Sequence, residues 1–132
     1  MIEIERINHI GIRVADAARA VAFWRHFGFE KTWEGGAEPV VILDNGNGVE
    51  INLIVNADDA NDGRNVLMDV DAKYPGYTHV ALQIASAERT AAALAELGIE
   101  ITEGPARFGE GISLFIRDPD RNVLELRQAR AS

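Results

Sequence analysis

Ile7-Asn8-His9-Ile10-Gly11-Ile12-Arg13-Val14 and Tyr77-Thr78-His79-Val80-Ala81-Leu82-Gln83-Ile84 are two copies of one pattern. A shift of 70 positions (79 − 9) superposes them without a gap, and the match runs on to Glu30 and Glu100. His9 falls on His79, Ala15 on Ala85, Ala17 on Ala87, Arg19 on Arg89, Ala22 on Ala92, Gly28 on Gly98 and Glu30 on Glu100. Most other positions exchange one apolar residue for another. A period this long marks a duplicated module rather than a solenoid of short repeats. Each half therefore carries one His at the same place.

Both copies alternate apolar and polar residues, the period of a half-buried strand. In residues 7–14, Asn8, Ile10, Ile12 and Val14 share one face, which leaves His9 on the more polar one. In residues 77–84, His79 lies opposite Thr78, Val80, Leu82 and Ile84. Asp16 and Ser86 are suited to cap helices. The stripes that follow are Ala20, Phe23, Trp24 and Phe27, then Thr90, Ala93, Leu94 and Leu97, and Gly28 and Gly98 stop the helices. Strands are expected at 30–33, 39–43 and 49–55, with a hairpin turn over Asp44–Gly48. In the second half they are expected at 100–103, 112–117 and 123–127, with a glycine-rich connection over Gly104–Gly111 and a turn at Asp118–Asn122. Each half reads β-α-β-β-β. The expected organisation is a single α+β domain over 1–132: a first module at about 5–56, an acidic linker at about 57–75 and a second module at about 76–128.

Composition narrows the function. The 132 residues carry a net charge of −8, which disfavours nucleic acid and anionic membrane surfaces because both need clustered Lys and Arg. With no cysteine there is no disulfide frame, thiolate nucleophile or Cys-ligated zinc. The first residues lack the basic and apolar regions of a signal peptide, and no apolar run has membrane-spanning length, so a cytoplasmic protein is expected.

The polar faces of the strands hold the candidate chemistry. His9 and Glu50 in the first half, and His79 and Glu125 in the second, lie opposite apolar faces that have helices to cover them. Two imidazoles and two carboxylates suit one divalent metal of borderline hardness, Ni²⁺, Zn²⁺, Mn²⁺, Co²⁺ or Fe²⁺, with positions left for water or substrate. Asn52 shares the face of Glu50, and a slip of two in the Asp44–Asn52 hairpin would bring it to the site instead. Arg13, Gln83 and Arg127 share the ligand face and are candidates to bind substrate, as is Asn52. His26 matches Glu96 in the second half and reads as a surface residue.

Three motifs carry a family resemblance: Asn8–Val14 leading to Phe23-Trp24 and Phe27-Gly28-Phe29-Glu30, then Gly76–Ala81, then Asp118-Pro119-Asp120-Arg121-Asn122-Val123-Leu124-Glu125-Leu126. The chain resembles the vicinal oxygen chelate superfamily, which holds glyoxalase I, methylmalonyl-CoA epimerase, extradiol dioxygenases, fosfomycin-modifying enzymes and bleomycin-binding proteins. The resemblance implies paired modules that form a cupped mixed β-sheet around a divalent metal, helices outside, usually in a homodimer. The His, Glu, His, Glu order resembles bacterial glyoxalase I most. That implies proton abstraction next to a carbonyl of a small-molecule substrate, the enediolate stabilised on the metal, with Glu125 or Glu50 as base. An extradiol-type Fe²⁺ site would need only His9, His79 and Glu125. A bleomycin-type protein would bind a ligand without catalysis. The short spacing of the first-half residues and the long acidic linker depart from glyoxalase I and put glutathione binding in question.

Overall fold

The computed structural model describes residues 1–58, 60 and 63–131. Two compact units divide the chain, residues 1–62 and 63–132.

In the first unit, β1 (Ile10–Val14) is followed by α1 (Ala17–Arg25), β2 (Glu30–Gly35), β3 (Val40–Asp44) and β4 (Glu50–Val55). The sheet order is β1-β4-β3-β2, with β1 parallel to β4 and the other pairs antiparallel. The alternation in β1 and β4 decides which face is covered: Ile12, Val14, Ile51 and Leu53 are buried while Gly11 and Arg13 are exposed. Helix α1 lies on β2 and β4 and buries Ala20, Phe23 and Trp24. Trp24 is fully enclosed, its ring 5.2 Å from that of Phe29 in an edge contact. Burial of a side chain this large contributes at least the roughly 1.5–3 kcal/mol of a buried aliphatic.

The second unit repeats the order: β5 (His79–Gln83), α2 (Ala87–Leu97), β6 (Ile101–Phe108), β7 (Gly111–Arg117) and β8 (Val123–Gln128), in a sheet ordered β5-β8-β7-β6. Here β5 is parallel to β8, and α2 rests on β6, β7 and β8. Leu94 is buried, as are Leu114, Ile116, Leu124 and Leu126 of the strands beneath α2.

The duplication extends to the helix ends. Asp16 and Ser86 accept from the backbone N–H of Arg19 and Arg89 at 2.9 and 3.1 Å. At the far ends Phe29 N–H donates to the Trp24 carbonyl, and Ile99 N–H to that of Leu94. Both closures route the chain through a left-handed residue, Gly28 at φ +84° and Gly98 at φ +72°, where a side chain would be strained.

Three expectations are corrected. The first strand begins at Ile10 rather than Ile7, because pairing with β4 starts at Ile10↔Ile51 and residues 1–9 have no strand partner. The expected connection at Gly104–Gly111 is strand up to Phe108: β6 keeps pairing with β7 by two register shifts, between Ile101 and Glu103 and between Glu103 and Ala106. The buried stripe of α2 is Ala87 and Leu94, with Ala93 and Leu97 exposed, so the helix outruns the sheet at its last turn.

Residues 63–75, expected as linker, belong to the second unit. Asn65 caps the N–H groups of Leu67 and Met68 and donates to the Arg121 carbonyl at 3.1 Å. Asp69 takes two bonds from Arg117, at 2.9 and 2.8 Å. Those bonds hold the Asp69 carboxyl below its ordinary pKa. In the adjoining turn, burial pushes the Asp118 carboxyl up, against bonds from Asn122 and from the Asp120 backbone.

Candidate functional site

The candidate residues come as two pairs, one in each unit. Among the described residues no cluster of three or more His, Asp or Glu forms. In the second unit His79 opens β5, and Glu125 sits in the middle of β8, two places beyond the residue paired with His79. The two side chains meet on one face, with Nε2 of His79 3.0 Å from Oε1 of Glu125. Thr78 Oγ1 lies 2.8 Å from the opposite ring nitrogen, Nδ1. The Phe115 ring, across from Glu125 in β7, meets the His79 ring edge-on at 5.8 Å. Glu125 is buried, and its second oxygen accepts the Ser113 hydroxyl at 2.6 Å. Ser113 in turn accepts from Arg127 at 3.0 Å.

In the first unit His9 lies just outside β1. Its Nδ1 is 2.8 Å from Asn8 Oδ1 and 3.9 Å from Glu50 Oε2. Asn8 and Thr78 occupy the same place in the duplication (8 + 70 = 78), and each holds the Nδ1 edge of the following His. An amide oxygen only accepts, so this contact is a hydrogen bond in the tautomer with the proton on Nδ1, which leaves the lone pair on Nε2. Glu50 stands at the Nδ1 edge of His9, whereas Glu125 stands at the Nε2 edge of His79.

Strand register separates the two carboxylates further. In the first unit Gly11 pairs with Asn52; in the second, Ala81 pairs with Glu125. Since 11 + 70 = 81, the counterpart of Glu125 is Asn52, and Glu50 corresponds to Val123. The slip of two residues left open by the sequence is present. The Asn52 Oδ1 atom is buried and finds no hydrogen-bond partner among the described residues.

His79 and Glu125 are directly hydrogen-bonded, and the same spacing is compatible with two ligands of one divalent cation. Two ligand atoms at neighbouring corners of an octahedron, each about 2.1 Å from a metal, lie about 3.0 Å apart. His79 Nε2 and Glu125 Oε1 have that separation, and both have their other polar atom occupied by a neighbour, as oriented ligands do.

The candidate substrate residues are placed differently. Arg13 donates to Asn56 at 2.9 Å. Arg127 donates to Ser113 and to the Phe108 carbonyl, with its guanidinium 4.0 Å over the Phe108 ring. Gln83, at the end of β5, is exposed. The sequence reading missed Ser113, Asn8 and Thr78. A single polar residue inside the apolar run Ile112-Ser113-Leu114-Phe115-Ile116 was the available signal for the first.

Residues 6–126 match the family model described as Glyoxalase/Bleomycin resistance protein/Dioxygenase superfamily. The chain is 29% identical over 129 residues to the metallothiol transferase FosB of Shouchella clausii, covering 93% of this chain and 80% of that one. Among solved structures, a glyoxalase family protein from Enterococcus faecalis superposes with a TM-score of 0.75 at 24% identity, over 94% of this chain and 98% of the other. The fosfomycin resistance protein FosX from Listeria monocytogenes does so with a TM-score of 0.70 at 24% identity, over 96% and 95%. At these identities the two structures establish likeness of fold. No helix among the described residues is long and apolar enough to cross a membrane.

Proposed function

The chain belongs to the Glyoxalase/Bleomycin resistance protein/Dioxygenase superfamily, and we propose that it is a divalent-metal-dependent enzyme acting on a small, oxygen-rich molecule. In the second unit His79 and Glu125 are the candidate ligands, and in the first unit His9 is. The observation that carries this reading is the 3.0 Å approach of His79 Nε2 to Glu125 Oε1. A bound cation of this type supplies Lewis acidity, drawing charge from a substrate oxygen.

The chain's own residues do the rest. Thr78 and Asn8 each hold the Nδ1 edge of a ring, which leaves Nε2 as the nitrogen to ligate. Phe115 limits the rotation of the His79 ring. Exposed Gln83 offers substrate both donor and acceptor, and the buried Asn52 amide oxygen, without a partner among the described residues, is an acceptor left to spare within its own unit.

Asn52 in the position that corresponds to Glu125 favours a metallothiol transferase like the FosB relative: a thiol gives up its proton and attacks an electrophilic carbon, the carbon–oxygen bond breaks and the freed oxygen takes a proton. The glyoxalase I-like reading, proton removal next to a carbonyl, is favoured by one observation. Glu50 is a partly exposed carboxylate beside His9, available as a base. Metal-loaded protein is to be assayed with fosfomycin plus a thiol, with fosfomycin alone, with methylglyoxal–glutathione hemithioacetal, and with catechol under Fe²⁺. Turnover of fosfomycin only with thiol supports the first reading, and turnover of the hemithioacetal the second. Ring cleavage of catechol would make the protein a dioxygenase. Binding without turnover would make it a sequestering protein. A homodimer is inferred from the exposed apolar residues Ile2, Ile4 and Ile7.

A further inference from the structure

We propose that Ser113 and Arg127 are positioning residues that fix the Glu125 carboxylate in one orientation, so that it offers a metal a single oxygen and serves as a ligand rather than as the reaction's proton acceptor. This rests on the metal-site reading above. The Ser113 hydroxyl is fully buried and donates to Glu125 Oε2 at 2.6 Å. Its own lone pair is taken by Arg127 at 3.0 Å, which forces the hydroxyl proton toward the carboxylate. Arg127 is anchored in turn by the Phe108 carbonyl at 2.8 Å and by the Phe108 ring. A Cβ on Gly111 would come within 2.7 Å of the Arg127 guanidinium, so the backbone there is cut back to admit it. With Oε2 held by Ser113, Oε1 is the oxygen turned to His79.

The first unit supplies the comparison. The positions that pair like Ser113 and Arg127 are Val40 and Ile54, and the residue in the place of Glu125 is Asn52. The hydroxyl and the guanidinium therefore occur together with the carboxylate and are missing where it is missing. A purely structural role in the duplicated fold would not require that coincidence.

The test uses the full chain. Zn²⁺ affinity is measured by chelator competition for wild type, Ser113→Ala, Glu125→Ala and the double variant, with Co²⁺ absorption as a second readout. Ser113→Ala is expected to weaken Zn²⁺ binding by about ten- to a hundredfold and to alter the Co²⁺ spectrum. In the Glu125→Ala background it should add less than about twofold, since it acts through that carboxylate. Full additivity, or unchanged affinity in Ser113→Ala, would overturn the proposal. If Ser113→Ala does not fold, Arg127→Met removes the anchoring donors and should weaken binding in the same direction; unaltered binding there would overturn it equally. A metal-free readout separates this from the site reading: the ¹⁵N shift of His79 Nε2 should move in apo Ser113→Ala. No movement sinks the positioning role even if the wild type binds metal. Wild type that binds no metal, with the shift still moving, sinks the site reading and the ligand role of Glu125 while leaving the orientation by Ser113 in place.

Discussion

Glu50→Gln is the substitution that separates the two carboxylates most sharply. It keeps the shape of the side chain and removes the charge. Glu50 Oε2 lies 3.9 Å from Nδ1 of His9, with 44% of the His9 and 36% of the Glu50 side chain exposed. Two unit charges about 4 Å apart interact by about 1 kcal/mol in water, and salt reduces that further. Glu50 stands on the Nδ1 edge of His9 rather than at Nε2, so its charge acts on a cation held at Nε2 through space and not as a ligand. Loss of the charge should therefore weaken metal affinity by at most about fivefold, the equivalent of about 1 kcal/mol. Glu125→Gln alters the carboxylate that faces His79 Nε2 directly, and should weaken it by more than about a hundredfold if Glu125 is a ligand. Both variants are titrated with Zn²⁺ against a competing chelator at one ionic strength. A loss in Glu50→Gln as large as that in Glu125→Gln would make Glu50 a ligand and refute the argument from register and ring edge.

Other outcomes follow from the packing and the charges. Gly111→Ala forces Arg127 or the Gln128 carbonyl to move, since its Cβ would lie 2.7 and 2.6 Å from them. It should cost about 1–3 kcal/mol in urea unfolding. Trp24→Ala empties a fully enclosed site and should cost about 3–5 kcal/mol by the same assay. Arg117 holds the Asp69 carboxyl below its ordinary pKa. Its contribution to stability is therefore complete above the unfolded-state value and fades as pH falls through the folded-state value. Asp69→Asn should flatten the melting-temperature profile below about pH 4, and an unchanged acid limb would count against the ion pair. Sedimentation equilibrium should give twice the 14.4 kDa chain mass if the chain is a homodimer, and Ile4→Lys should lower it toward one.

Much of this architecture is written locally and could be read directly. The 70-residue offset carries over His9, the capping residues and the stop glycines, because these depend on neighbours within a few positions. The buried faces of β1 and β4 also follow from alternation alone. What could not be read depends on pairing across strands. Whether Glu50 or Asn52 matches Glu125 is set by the register in which β4 pairs with β1, and no local preference fixes that. The length of β6 escaped for a related reason: two register shifts let a Gly- and Pro-containing segment stay paired, against the usual meaning of those residues. Residues 63–75 look like linker because they follow the acidic run at 56–63 and carry no strand or helix period. Asn65 and Asp69 fasten them to the second unit through polar contacts that leave no periodic trace. The donor role of Ser113 is invisible without knowing that Arg127 takes its lone pair.

The most direct test of the account is the metal stoichiometry of the purified, untagged chain beside His79→Ala, each stripped and then titrated with Zn²⁺, Ni²⁺, Mn²⁺, Co²⁺ and Fe²⁺, with circular dichroism to confirm the fold. The account expects one tightly held cation per chain in wild type, and its loss in a folded His79→Ala. Wild type that binds none of the five, or a folded His79→Ala that keeps its full complement, would contradict it.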